Sequence, residues 1–156
     1  MTTSILNGTA EFMEYVKENR EKFYMAPSDY VNDPHVVGQL DDLISVNGIL
    51  EIDLQGHVNS ESIQTKQISG TGGQLDFVMG AYRSKGGKSI LGCNATYRKK
   101  DGTVASKIHA TLPEGASCTV PRAAVQYVCT EQGIVDLKGK NIWDRAELLI
   151  SIAHPD

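Results

Sequence analysis

The stretch from Gly70 to Phe77 holds the residues best suited to chemistry, because Gly-Thr-Gly-Gly-Gln-Leu-Asp-Phe joins several glycines to the start of a helix. Gly72 and Gly73 have no Cβ, so a ligand can approach the main chain closely and the backbone can adopt a positive φ. The helix that follows directs its free N–H groups and the positive end of its dipole at the same place. This pattern is typical of a site that cradles a phosphate or stabilises an oxyanion.

Two familiar nucleotide-binding motifs do not fit these glycines. The dinucleotide motif G-x-G-x-x-G needs a third glycine where Leu75 stands. The phosphate loop G-x-x-x-x-G-K-[ST] would end at Gly87-Lys88-Ser89, but its first glycine would have to occupy the position of Tyr82. The sequence therefore excludes both motifs and leaves the more general anion or oxyanion site.

Composition limits the class of protein. A chain of 156 residues with 40% hydrophobic residues suits one globular domain, residues 1–156. Its formal net charge is −4 and it has no basic block, so neither nucleic acid nor an anionic membrane is an expected partner. The N-terminal residues do not form a signal peptide, and the late apolar run 148–153 is too short to span a bilayer. We expect a cytoplasmic protein.

The cysteines and histidines do not predict a metal site or a disulfide framework. Cys93, Cys118 and Cys129 are odd in number and form no C-x-x-C pair, so we expect free thiols packed in the core. The four histidines lack the short spacings of metal ligands. We therefore expect no bound metal.

Apolar residues at helical spacing predict four helices. The first runs from Thr9, which can cap it, into the charged run 17–22, and the second runs from Pro34, after the capping residue Asp33, to about Asp42. The others run from Leu75 to Arg83 and from Ile142 to about Ala153. The residues predicted to face inward are Phe12, Met13 and Val16 in the first helix, Val36, Val37 and Leu40 in the second, and Trp143, Ala146, Leu149 and Ile150 in the last.

Short apolar runs between turn residues predict strands over 43–46, 49–54, 89–94, 103–110, 118–120 and 127–130. Asn47-Gly48 predicts a hairpin between the first two strands. The turn Lys99-Lys100-Asp101-Gly102 predicts antiparallel pairing of 89–94 with 103–110, and Pro121–Ala124 resembles a helical start. The predicted fold class is α/β, a single-domain mixed sheet flanked by helices.

Five sequence blocks resemble one known family. They are Asp29-Tyr30-Val31-Asn32-Asp33-Pro34, the run 51–61, the glycine stretch 69–77, the run 130–139 that begins Thr-Glu-Gln-Gly, and Ile152-Ala153-His154-Pro155-Asp156. In this order they are similar to the C-terminal half of the acetyl-CoA hydrolase/transferase family, nearest to its 4-hydroxybutyrate and butyryl-CoA:acetate CoA-transferases. The fold expected from the resemblance is the C-terminal-half type of those enzymes.

The resemblance implies transfer of CoA between an acyl-CoA, such as butyryl-, 4-hydroxybutyryl- or acetyl-CoA, and a carboxylate such as acetate. The reaction would pass through a CoA thioester on an enzyme glutamate, with CoA as a substrate and no permanently bound cofactor. The resemblance implies that the Gly73 N–H belongs to the oxyanion hole and that Gly70 and Gly72 shape the turn. It places Asn32 at the CoA thioester and Glu131 on the carboxylate side of the pocket.

Each of these residues also has a structural interpretation. Asn32 can simply cap or precede the next helix, and Glu131 can be a solvated turn residue or the partner of an arginine. Asp76 is expected to cap the helix after the glycines. Residues 59–61 are expected to fix a loop near the pocket, and Lys85–Lys88 to form a solvated basic turn that is less suited to CoA phosphates.

One part of the family pattern has no counterpart in the sequence. In the family, the nucleophilic glutamate and the second oxyanion donor precede the segment that matches 29–34. The acidic residues before that segment belong to a charged helix and its end: Glu11, Glu14, Glu18 and Glu21. We therefore expect the chain to be inactive alone and to associate with a missing N-terminal half or with itself. The alternatives are an acyl-CoA hydrolase domain and a non-catalytic CoA-binding or remnant domain.

Overall fold

The computed structural model describes residues 1–155 and contains thirteen strands and five α-helices in that range. Asp156, the last residue of the fifth sequence block, lies outside the described residues. The helices are α1 (Ala10–Glu18), α2 (Ser28–Val31), α3 (Pro34–Val37), α4 (Gln74–Arg83) and α5 (Ile142–Ser151). The strands are β1 (Thr2–Thr3), β2 (Tyr24–Met25), β3 (Ile44–Gly48), β4 (Glu51–Asp53), β5 (Val58–Asn59), β6 (Ser62–Ile63), β7 (Lys66–Gln67), β8 (Lys88–Gly92), β9 (Thr96–Arg98), β10 (Val104–Ser106), β11 (Ile108–His109), β12 (Tyr127–Thr130) and β13 (Gly133–Asp136).

A four-stranded sheet in the order β13-β12-β8-β3 lies at the centre. Strands β3, β8 and β12 are parallel, and β13 returns antiparallel to β12. The three parallel strands end in register, with Gly48 opposite Gly92 and Gly92 opposite Cys129. α4 packs against β8 and β3. The predicted α/β class with a mixed sheet flanked by helices is confirmed.

A second sheet, in the order β11-β4-β5, packs into the same core. Its Ile52 is fully buried in one cluster with Leu91 of β8, Val128 of β12 and Leu149 of α5. Burial of such side chains from several elements supplies the main driving force for folding. Three smaller strand pairs, β1 with β2, β6 with β7 and β9 with β10, lie outside the two sheets.

The predicted hairpin at Asn47-Gly48 is wrong. A two-residue turn of that type needs positive φ at both central residues, and neither Asn47 nor Gly48 has one. Both residues belong to β3, and Ile49 continues along β8 by donating its N–H to the Gly92 carbonyl at 2.9 Å. The chain then enters the second sheet, so β3 and β4 do not pair with each other.

The predicted turn at Lys99–Gly102 is present, but it joins different strands. Gly102 has φ +88°, and the turn connects β9 to β10, whereas β8 pairs with β3 and β12. The run 118–120 contributes only the bridge from Val120 to Val58, and Pro121–Ala124 is a turn instead of a helical start. Strand partners are chosen by long-range packing, which a local sequence pattern does not contain.

The four predicted helices are present, but some of their ends and buried faces differ from the prediction. Thr9 caps α1 by accepting the Phe12 N–H, as expected, and Val37 is buried. α3 ends at Val37 well before the predicted Asp42, which adopts φ +54°, and Leu40 is 58% exposed. α5 buries only part of the predicted stripe, because Leu149 is fully buried but Trp143 and Ile150 are 80% and 59% exposed. No helix within residues 1–155 is long and apolar enough to cross a lipid bilayer.

The three thiols are less buried than predicted. Cys118 is exposed, and Cys93 and Cys129 are partly buried. Cys129 lies near the end of β12 and Cys93 directly follows β8, so Cys93 packs against the margin of the core and is not enclosed by it. Burial is nevertheless the main reason that the pKa of the Cys93 thiol rises to about 11.

Cys93 should therefore react slowly with alkylating reagents near neutral pH. Only the thiolate is nucleophilic, and a rise in the pKa from 9.0 to about 11 lowers the thiolate fraction about a hundredfold at pH 8. In a chain with Cys118→Ser and Cys129→Ser, iodoacetamide labelling followed by mass spectrometry should accelerate up to about pH 11. A labelling midpoint near pH 9, the value for the same chain in denaturant, would contradict this assignment.

Candidate functional site

The glycine loop leads directly into α4. Gly73 is the N-cap residue, with φ −94° and ψ 14°, and no side chain caps the helix. The prediction that Asp76 caps α4 is therefore wrong. Gly72 has φ +56°, a left-handed backbone conformation that residues other than glycine rarely adopt. The first-turn N–H groups have no intrahelical partner, so this helix end can receive a negatively charged oxygen.

A buried hydrogen-bond network fixes the start of this loop. The Glu61 carbonyl accepts the N–H groups of Ile68 and Ser69 at 2.8 and 3.2 Å. The Glu61 carboxylate accepts the Thr119 hydroxyl at 3.0 Å, and the fully buried Asn59 accepts the Glu61 N–H at 3.1 Å. The predicted role of residues 59–61 in fixing a loop near the site is confirmed.

Asn32 and Gly73, far apart in the sequence, lie in direct contact. A Cβ built on Gly73 would collide with Asn32 Nδ2, so the amide lies against the glycine backbone. Asp33, rather than Asn32, caps α3, because its Oδ1 accepts the His35 N–H at 2.7 Å. The Asn32 side chain is therefore available to the site, and the glycine at position 73 makes the close approach possible.

Asn32 and Gly73 open onto a cleft of about 550 Å³. The cleft has apolar walls with three side-chain amides among them, and no Asp, Glu, Lys or Arg is among the described residues that line it. The lining residues are Thr2, Thr3, Ser4, Ile5, Tyr30, Val31, Asn32, Val36, Val37, Leu40, Leu43, Asn47, Gly73, Gln74 and Phe77. The volume is within the range of small-molecule sites.

Gln74 and Asn47 line the cleft but were not predicted as site residues. Gln74 Nε2 donates to the Gly48 carbonyl at 3.2 Å, and its buried Oε1 has no hydrogen-bond partner within residues 1–155. Asn47 Nδ2 donates to the Ser45 hydroxyl at 2.8 Å. The position of Gln74 directly after the glycine pair could have identified it. The Asn47-Gly48 pair predicts a turn, so no sequence signal places Asn47 in the cleft.

Charges around the cleft are arranged unevenly. A smaller cavity of about 270 Å³ beside Asn32 is lined in part by three carboxylates, those of Asp29, Asp33 and Asp76. These repel the phosphates of a ligand from that side. The basic turn Lys85–Lys88 follows the opposite end of α4, about 15 Å from the glycine loop at 1.5 Å per residue.

Glu131 does not line the cleft that Asn32 and Gly73 share. It is exposed in the turn after β12, and its Oε2 accepts the Ala95 N–H at 2.8 Å. That bond is the main reason that the pKa of its carboxyl group is lowered. Because Gly48, Gly92 and Cys129 are in register, Cys129 lies two strands or about 10 Å from Gly48. Glu131 follows Cys129 by two residues, at the same end of the parallel strands.

Other predicted features lie apart from the cleft. Gly70 and Gly72 are exposed, and a Cβ on either would meet open space, whereas a Cβ on Gly73 would collide with Asn32. Within residues 1–155 there is no group of three or more His, Cys, Asp or Glu side chains that could hold a metal ion.

Comparisons with known proteins agree on one family. The model for the acetyl-CoA hydrolase/transferase C-terminal domain matches residues 8–156. The chain is 45% identical to the butyryl-CoA:acetate CoA-transferase of Anaerostipes caccae, over 99% of this chain and 34% of that protein. It is also 45% identical to the 4-hydroxybutyrate coenzyme A transferase of Clostridium kluyveri, over 99% of this chain and 35% of that protein.

Solved structures give the same result. RipA from Yersinia pestis superposes with a TM-score of 0.88 at 42% identity, over 99% of this chain and 34% of that one. A 4-hydroxybutyrate CoA-transferase from Porphyromonas gingivalis superposes with a TM-score of 0.78 at 38% identity, over 99% and 34%. The chain thus spans about a third of the length of the relatives that it matches.

Proposed function

Because the chain belongs to the acetyl-CoA hydrolase/transferase family as its C-terminal domain, we propose that residues 1–156 form one domain of a CoA-transferase. The whole enzyme would move CoA between an acyl-CoA, with a butyryl, 4-hydroxybutyryl or acetyl group, and a carboxylate such as acetate. CoA is then a substrate. The names of relatives about three times as long support this assignment.

The contact between Asn32 and Gly73 at the N-terminus of α4 carries the proposal. When a carboxylate attacks a thioester, the carbonyl oxygen gains negative charge, and N–H groups aimed at that oxygen stabilise the transition state. The Gly73 N–H and the α4 dipole are suited to this role, and the Asn32 amide can position the thioester. Gly72, at φ +56°, shapes the loop, and a side chain at position 73 would block the approach.

The nucleophile is proposed to come from elsewhere in the enzyme. No carboxylate is among the described residues that line the cleft. A glutamate from outside these 156 residues would attack the thioester carbonyl, form a mixed anhydride with the acyl group and release the CoA thiolate. The thiolate would then attack the glutamyl carbonyl of the anhydride, which forms the CoA thioester of that glutamate and releases the donor carboxylate. Glu131 lies at the same end of the parallel strands as Gly48. It would border the end of the pocket that receives the acceptor carboxylate.

A chimeric enzyme tests this function. The chain replaces the matching third of the Anaerostipes caccae transferase, and butyryl-CoA is mixed with labelled acetate. The chimera should transfer label into acetyl-CoA, whereas the isolated chain should show no sustained exchange. Omitting acetate separates transfer from hydrolysis. Exchange by the isolated chain at ordinary enzyme rates, or none by a folded chimera, would contradict the proposal.

A further inference from the structure

The outer edge of β3 is a sheet edge without a neighbour in the described chain. β3 is the last strand of the four-stranded sheet and pairs only with β8. Its Ile44 and Val46 side chains are 60% and 70% exposed. A parallel strand is normally covered on both sides, and an exposed apolar edge strand is prone to pair with another chain.

The hydrogen-bond pattern shows which groups this edge presents. Lys88 donates its N–H to the Leu43 carbonyl, and the Ile49 N–H goes to Gly92, so the odd-numbered residues of β3 face β8. Because backbone groups alternate along a strand, the N–H and C=O groups of Ile44, Val46 and Gly48 point outward. Within residues 1–155, the Gln74 amide supplies a donor to the Gly48 carbonyl.

A second free edge borders the same cleft. In the pair of β1 with β2, the carbonyls of Met1 and Thr3 accept N–H groups from the β2 segment, so Thr2 and Ser4 direct their backbone groups outward. Thr2 and Ser4 line the cleft, as do Leu43 and Asn47, which precede and belong to β3. Ile44, Val46 and Gly48 are not among the lining residues, and the cleft meets their edge through Gln74, which is bonded to the Gly48 carbonyl. The cleft is thus near two unpaired strand edges, that of β3 and that of β1.

We propose that an extended segment from another part of the transferase enters this cleft and pairs with the outer edge of β3. The occupant is assigned to the same enzyme because the chain spans only 34% of its relatives' length, which leaves enough chain to supply a strand. The segment would pair with the outward backbone groups of Ile44 and Val46 and would donate to the unpartnered Gln74 Oε1. This inference rests on the proposed function.

Such a strand would have a direct consequence for the site. The free edge of β3 ends at Gly48, where Gln74, next to Gly73, is hydrogen-bonded. A segment bound along this edge therefore has one end beside the glycine loop and can bring a side chain to it. By pairing with the β3 edge, another part of the enzyme therefore completes the cleft.

Hydrogen exchange on the isolated chain and on the chimera tests the inference. In the isolated chain, the amides of Ile44 and Val46 should exchange quickly while those of Ser45 and Asn47 are protected. In the chimera, the exchange of Ile44 and Val46 should slow at least a hundredfold. Ile134 is the matched control, since it lies 55% exposed on the opposite edge strand β13 with its N–H outward, and it should change little.

Paired proline variants give a second readout. Here the two pieces, this chain and the remaining two thirds of the Anaerostipes caccae transferase, are expressed together as separate chains. Val46→Pro removes an outward N–H and leaves the β3–β8 ladder intact, so it should prevent co-purification. Ile134→Pro makes the same change on β13 and should not. Equal behaviour of the two variants, or failure of the parent pieces to co-purify, counts against the inference.

The remaining outcomes are also decisive. Unchanged exchange of Ile44 and Val46 in a chimera whose Leu91 amide is protected overturns the inference. Protection in the isolated chain that rises with its concentration identifies a second copy as the occupant and likewise overturns it. A chimera that protects both amides but transfers no CoA supports the strand pairing and contradicts only the proposed function.

Discussion

Gly73→Ala should lower kcat/KM of the chimeric transferase by about 10²–10³, the usual loss when one oxyanion donor is removed. A Cβ at position 73 would collide with Asn32 Nδ2 and lie 3.4 Å from Phe77 Cε2. The backbone itself tolerates alanine, because φ is −94°. The expected loss therefore comes from displacing the loop N–H and the Asn32 amide and from obstructing the approach to them.

Gly70→Ala is the matched control for this prediction. Its Cβ would meet open space, and its φ is not in the positive range, so kcat/KM should stay within about threefold. Both variants are compared by labelled acetate exchange, with their melting temperatures measured alongside. Equal activities for Gly73→Ala and Gly70→Ala, at unchanged stability, would remove Gly73 from the proposed oxyanion site.

Arg145→Ala should lower the free energy of unfolding of the isolated chain by about 3 kcal/mol, the scale for removing a buried group with several hydrogen bonds. Arg145 is 8% exposed and ties α5 to two loops. Its Nε donates to the Lys140 carbonyl at 3.1 Å, and its Nη1 donates to the carbonyls of Arg122 and Gln55 at 2.9 and 3.4 Å. Alanine leaves these carbonyls without their donor and opens a cavity.

Trp143→Ala on the same helix is the contrasting control. Trp143 is 80% exposed, so its loss should change the free energy of unfolding by no more than about 0.5 kcal/mol. Urea titrations followed by circular dichroism measure both variants, which avoids relying on the single tryptophan for the signal. A greater loss for Trp143→Ala than for Arg145→Ala would show that α5 buries Trp143 rather than Arg145.

Local signals in the sequence were reliable where the chemistry is local. Thr9 and Asp33 cap the helices that follow them, and Gly72 and Gly102 adopt the positive φ that glycine permits. The glycine stretch before α4 was identified for the same reason. Asn47-Gly48 failed as a hairpin signal because strand pairing with β8 outweighed the weak preference of two residues.

The sequence alone determined the α/β class, the glycine loop at the start of a helix and membership of one family, since spacing and block order are properties of the chain itself. Tertiary structure alone decided that Asn32 lies against Gly73, that Gln74 enters the cleft and Glu131 does not, and that Arg145 is buried while Trp143 is exposed. These outcomes depend on contacts between segments distant in sequence, which form only when the sheets pack into one core.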